Sequence, residues 1–163
     1  MIRFAIRAAA LCGVILTASA VPAAAQPVEL VRGCLVESVA VLRLSELAKV
    51  IASCAQIIDD AATPRETRGQ ALGQRGLLYA KRWSMMEALP DAQRGIADIT
   101  EGLRQHTPAQ DRKRHLLNIR GQLYLATGQT RRASDDFKAV LAEAPDDDQA
   151  RAGLKKAGTL DNY

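Results

Sequence analysis

Side chains with obvious reactive potential are few in this 163-residue chain, and they fall into small groups. Asp135-Asp136 sets two carboxylates side by side, the composition of a general acid/base pair. Asp146-Asp147-Asp148 offers oxygen ligands of the kind a hard cation takes. The histidines are His106 and His115, and the second closes the basic run Arg112-Lys113-Arg114-His115. Cys34 and Cys54 are the cysteines beyond Cys12 near the start.

Each group lacks the companions its chemistry needs. A zinc or catalytic metal site requires further ligands at suitable spacing, and neither the histidines nor the cysteines have them. No nucleophile elbow, phosphate loop or calcium loop is present. The Asp146–Asp148 run reads as acid at a helix N-terminus, where the dipole favours it. The basic run reads as a solvated face, with attraction to anionic lipids as its alternative. The sequence therefore predicts no catalytic residue, no metal and no cofactor, and a protein that is not an enzyme.

Residues 1–25 have the layout of a secretory leader. Arg3 and Arg7 give a positive start, Ala8–Ala20 is apolar, and Ala23-Ala24-Ala25 precedes Gln26. Cleavage is expected after Ala25, leaving a periplasmic or secreted chain of residues 26–163 with no transmembrane segment. The apolar run is short for a bilayer span, a permanent anchor being the competing reading. Losing Arg3 and Arg7 halves the formal net charge of +4, so no polyanionic partner is implied. Nucleic acid is excluded as a partner by export and by the lack of an aromatic series for stacking. Export also favours a disulfide between Cys34 and Cys54 over two buried free thiols.

The elements that must position these residues are helical. Val28, Val31, Leu35, Val39 and Leu42 form one stripe, and Leu47, Val50, Ile51, Cys54, Ile57 and Ile58 form the next. Thr63-Pro64-Arg65-Glu66 reads as a capped helix start, and the helix it opens runs to about Trp83. Pro90-Asp91 opens another that ends near Gln105. Thr107-Pro108 opens a fifth segment that stops at Thr127-Gly128, and a sixth runs from about Thr130 to Glu143. Pro145-Asp146 begins a short last one. The spacing predicts an all-α fold of antiparallel hairpins over residues 28–60, 64–106 and 108–143, with a capping helix over 145–157. A hairpin centred at Leu44 sets Cys34 and Cys54 side by side, whereas one straight helix would hold them roughly 30 Å apart.

The chain also repeats itself. "RGLLY" at 75–79 recurs as "RGQLY" at 120–124. Asp98-Ile99 and Asp136-Phe137 follow downstream, then Pro108 and Pro145. This resembles the tetratricopeptide repeat, a helix–turn–helix unit of roughly 34 residues. Gly121, Tyr124, Gly128, Ala133, Phe137 and Pro145 match its pattern in the later copy, with Leu117 at its tryptophan-like position. In the earlier copy Gly76 and Tyr79 match, but Gly95 and Ile99 fall seven residues late. The extra material lies in "KRWSMMEALPD", residues 81–91, as a lengthened turn or an overlong helix. Small Gly121 and Ala133 let helices approach, Tyr124 and Phe137 fill the space around them, and Gly128 ends a helix with positive φ.

Arg75–Asp98 and Arg120–Asp136 occupy equivalent places, so Asp136 is expected to be structural rather than catalytic. The resemblance implies a right-handed solenoid whose first helices line a shallow groove holding a peptide or partner helix. By position, the groove residues are Gln70, Gly73, Leu77, Lys81, His115, Asn118 and Gln122. An ordinary wet helix face is the alternative for them. Trp83-Ser84-Met85-Met86 is a second candidate contact surface, or else a cover for the core. The function expected is protein–protein interaction. The alternative is a structural, self-assembling or accessory subunit of an envelope complex, so oligomers are in view.

Overall fold

The computed structural model describes residues 28–160, so the leader and its cleavage site lie outside the described residues. The described chain is all-helical. Its elements are α1 (Val28–Cys34), α2 (Leu44–Asp59), α3 (Arg65–Met86), α4 (Leu89–Gln105), α5 (Gln110–Ala126), α6 (Thr130–Glu143) and α7 (Asp148–Leu160). Each helix packs on its neighbour in sequence, and α1–α3, α3–α5 and α5–α7 also touch. No helix among the described residues is long and apolar enough to cross a membrane.

The first hairpin departs from expectation. The apolar stripe predicts a helix to Leu42, yet α1 stops at Cys34 and residues 35–43 are irregular. Gly33 sits in its last turn, where glycine weakens a helix. Further on, the carbonyl of Val36 accepts a bond from the side chain of Gln74 instead of from a helical N–H. Val31, Leu35, Val39 and Leu42 still pack against the first core cluster, so the stripe marked burial along its length but helix only as far as Cys34. Cys34 and Cys54 lie in disulfide geometry, their Cα atoms 4.7 Å apart.

Other boundaries shift by a turn or less. The Thr63 cap and Glu66 capping box do not form: Pro64 occupies the cap position with no side-chain bond. Instead Arg68 ties this corner, donating to the carbonyls of Asp60 and Thr63 at 3.1 Å each. Pro145 does not open α7 but sits in the turn before it. Asp147 caps α7, its Oδ1 accepting from the Ala150 N–H at 2.8 Å. Gly128 takes φ of 73° just after α5, and the Gln129 N–H bonds back to the Tyr124 carbonyl at 2.8 Å.

Three apolar clusters run along the stack. One joins α1 and α2 to Leu78 of α3, with Leu47, Ile57 and both cysteines at its centre. A second holds Leu77, Ile99, Leu116 and Leu123. The third surrounds Phe137, with Leu117, Tyr124, Ala133 and Val140. Close helix approach needs residues without side chains. A Cβ on Gly76 would lie 2.6 Å from Ile99, and one on Gly121 would lie 2.7 Å from the Phe137 ring.

Candidate functional site

The carboxylates are accounted for first. Asp136 is buried while its neighbour Asp135 is exposed, so the two do not form an acid pair. Asp136 receives two guanidinium bonds from Arg120 at 2.8 and 2.6 Å, and Arg120 also reaches Thr100 Oγ1 at 3.1 Å. Asp98 is held the same way by Arg75, at 2.6 and 2.9 Å. The hydrogen bonds that Arg75 donates to Asp98 raise the Arg75 pKa against the opposing effect of burial. Burial is the largest single influence on Arg120 and lowers its pKa, but the bond to Asp136 and the charges of Asp136 and Tyr124 together outweigh it and raise the value. Tyr79 presents its ring to Arg75, Arg82 and Arg94, and Tyr124 to Arg120 and Arg132, all within 6.0 Å. A carboxylate saturated by a bidentate arginine is poorly placed to move a proton.

A third clasp was not anticipated. Arg82 holds Asp91 through two bonds, seven residues along from Arg75 and seven back from Asp98. The signal was present as Arg68-Gly69, Arg75-Gly76 and Arg82 at heptad spacing. Gly69, Gly76, Gly95 and Gly102 keep the same spacing, and they let α3 and α4 meet backbone to backbone. The late Gly95 and Ile99 thus reflect longer helices around the α3–α4 turn, α3 running on to Met86, beyond the expected Trp83.

The basic run is dispersed. Lys113 pairs with Glu143 at 2.8 Å, and Arg114 pairs with Asp111. Arg112 points elsewhere, donating to the amide oxygen of Gln74. His106 Nδ1 lies 3.6 Å from Glu66. Among the described residues, no group of three or more His, Cys, Asp or Glu is placed to hold a metal ion.

What the fold does build is a row of hollows along α3, α5 and α7. The first, about 390 Å³, is bordered by Gln70, Gly73, Gln74, His106, Arg112 and Leu116. The second, about 380 Å³, is bordered by Leu77, Lys81, Trp83, Arg112, His115 and Gln122. The third, about 390 Å³, is bordered by Trp83, Gln122, Leu125, Gln149, Gly153 and Lys156. Consecutive hollows share wall residues: Arg112 the first two, Trp83 and Gln122 the last two. Partial enclosure of the ring and the charge of Arg112 lower the His115 pKa, which favours the neutral imidazole.

Six of the seven groove residues named from sequence therefore border these hollows. Asn118 does not. It is 3% exposed, and its Nδ2 donates to both Asp147 oxygens at 3.2 Å. Asn118 thus fastens α5 to the cap of α7. Trp83 borders two hollows while packing on the second cluster, whereas Met85 and Met86 stand exposed. Comparison with known proteins finds no matching family model, curated protein or solved structure.

Proposed function

We propose that this chain is an exported tetratricopeptide-repeat-like protein. Three hairpins form its right-handed solenoid, and its role is to bind a peptide or partner helix of another protein without turnover. The observation that carries this reading is the continuity of the hollows along α3, α5 and α7, with apolar floors and polar walls at Lys81, His115 and Gln122. Apolar surface with a few placed polar groups is what a docking groove needs. The clasped carboxylates support a scaffold role rather than catalysis. Affinity capture from envelope extract, comparing wild type with Lys81→Ala/Gln122→Ala, tests it. Loss of a specific partner from the variant supports groove docking; identical capture from both rules the groove out.

A second reading is favoured by the α3–α4 turn. Met85, Met86 and Leu89 are 48%, 56% and 53% exposed there. Methionine-rich apolar surface suits protein contacts, which fits a self-assembling or accessory subunit. Multi-angle light scattering of the mature protein separates the two, because self-assembly gives a mass above that of one chain.

A further inference from the structure

One wall of the groove is irregular chain. Residues 35–40, the irregular strap after α1, lie along it. Leu35, Val36 and Glu37 border the first hollow, and Glu37, Ser38, Val39 and Ala40 border the second. The strap is held as an extended ligand would be. Gln74, itself 2% exposed, donates through Nε2 to the Val36 carbonyl at 3.2 Å. Val39 packs against both the first and the second core clusters. Main-chain capture by an amide plus a sunken apolar side chain is sequence-tolerant binding of backbone.

One part of this cradle is incompletely answered. Arg112 fixes Gln74 from behind, but its hydrogen bond goes to a neutral amide oxygen. Among the described residues it makes no ion pair, unlike Arg75, Arg82 and Arg120. Burial alone acts on its charge and pushes its pKa down. A half-buried guanidinium without a carboxylate is under-compensated, and an arriving acid would form the stronger, charge-assisted bond. Glu37 of the strap borders the same two hollows as Arg112, but it forms no such pair.

Resting on the groove reading above, we infer that Val36–Val39 is a built-in occupant of the groove. Its external partner is an extended peptide with an acidic side chain between apolar ones, which displaces the strap and pairs its acid with Arg112. The strap competes by proximity: tethered at Cys34 and at α2, it is always present at high effective concentration. Partner affinity is therefore set by how often the strap leaves.

The test uses a labelled synthetic peptide that copies residues 35–42, Leu-Val-Glu-Ser-Val-Ala-Val-Leu, with the oxidised mature protein. Fluorescence anisotropy reads binding. Val36→Gly loosens the main-chain hold, and Val39→Ser loosens the apolar hold without changing the backbone. Each should tighten probe binding about tenfold, as expected if the strap fills the groove roughly nine-tenths of the time. The probe is free of the tethers at Cys34 and α2, so its Glu can reach the guanidinium that Glu37 does not pair with. A probe with Gln in place of Glu should bind about fivefold more weakly, and Arg112→Met should erase that difference. In wild type, saturating probe should speed amide exchange at residues 36–40. The inference is overturned if the probe binds wild type and both strap variants alike, if the Glu and Gln probes are equal, or if no binding occurs. Probe failure with partner capture still dependent on Lys81 and Gln122 removes the strap's role and leaves the groove reading standing.

Discussion

Arg82 grips Asp91 with two guanidinium bonds, at 2.7 and 2.5 Å, and so repeats the Arg75–Asp98 clasp one heptad nearer the turn on both helices. Lys113–Glu143 and Arg120–Asp136 repeat the device in the next hairpin. Seven residues fall about 20° short of two helical turns, so each partner stays on the facing side. Asp91 is 5% exposed, and Asp91→Ala would strand the Arg82 charge. Urea unfolding should show a loss of about 2 kcal/mol. Glu101→Ala removes an equally well-aligned pair with Arg104 on the exposed face and should leave the midpoint unchanged. Equal effects from the two variants would contradict a structural role for the clasp.

The α3–α4 contact makes a sharper claim about space. A Cβ on Gly102 would stand 2.8 Å from the Gly73 nitrogen and 2.9 Å from the Gly69 carbonyl oxygen. Both are backbone atoms, which cannot yield by changing rotamer. Gly102→Ala should cost about 2 kcal/mol through helix separation. The reverse holds at Gly73, where a Cβ would meet only Leu116 methyls at 3.6 and 3.8 Å. Gly73→Ala should gain about 0.5–1 kcal/mol by relieving backbone entropy. Paired thermal melts of the two variants, one lower and one higher than wild type, are the expected result.

Acid should destabilise the protein in two steps with separable causes. The Arg82 hydrogen bonds lower the Asp91 pKa, against the opposing desolvation. A carboxylate depressed in the folded state contributes stability that is complete above its unfolded value of 3.8 and lost as pH falls through the folded one. The gap between wild type and Asp91→Asn should therefore hold from neutrality to about pH 4 and close below it. His115 acts earlier. Its enclosure, then the charge of Arg112, lower its pKa below 6.5, so the unfolded chain binds the proton first. Stability should begin to fall as pH drops through 6.5, by a small amount because the ring is only partly enclosed. His115→Gln should remove that shallow slope and keep the steeper one below pH 4.

Much of the helical framework was legible because it is written in periodicity. The repeated Arg-Gly-x-x-Tyr, Gly128 at a positive-φ turn and the Arg75–Asp98 and Arg120–Asp136 pairs needed only spacing and residue type. The strap was hidden because Val31, Leu35, Val39 and Leu42 bury the same faces whether or not helix connects them. Its course depends on Gln74, thirty-eight residues from Val36, and no local pattern records that bond. Asn118 was misplaced for a related reason. Its polarity suggested solvent, but its partner is an aspartate on the far side of α6 in sequence. Arg112 looked like one member of a surface run, and only the packing of α3 on α5 sets it apart from Lys113 and Arg114.

Asn118 should behave as a latch for α7. Its amide bridges both oxygens of Asp147, the residue that caps that helix through Ala150. Asn118→Ala should cost about 1–2 kcal/mol, since a buried partner is lost and the cap loosens. The loss should be local: amide exchange in α7 should accelerate while α3 and α4 stay protected. Asn118→Asp should be worse, because it sets one carboxylate against another. Uniform acceleration across the whole chain would argue against the latch.

The bridge at Cys34 should matter most for the segment least able to hold itself. Helix α1 has 7 residues, too few to persist without tertiary support. It also precedes the strap, which is otherwise held by one side-chain bond and the packing of Leu35, Val39 and Leu42. Joining Cys34 to Cys54, across a sequence separation of 20, should contribute about 3 kcal/mol by restricting the unfolded chain. Thiol titration of denatured, unreduced chain comprising residues 26–163 should find neither cysteine free. Reduction should then accelerate exchange first in α1 and residues 35–43, with α4 to α6 unaffected until global unfolding. Two titratable thiols, or reduction that leaves the melting temperature unchanged, would mean that packing alone sets the first hairpin and that the cysteines are merely buried neighbours.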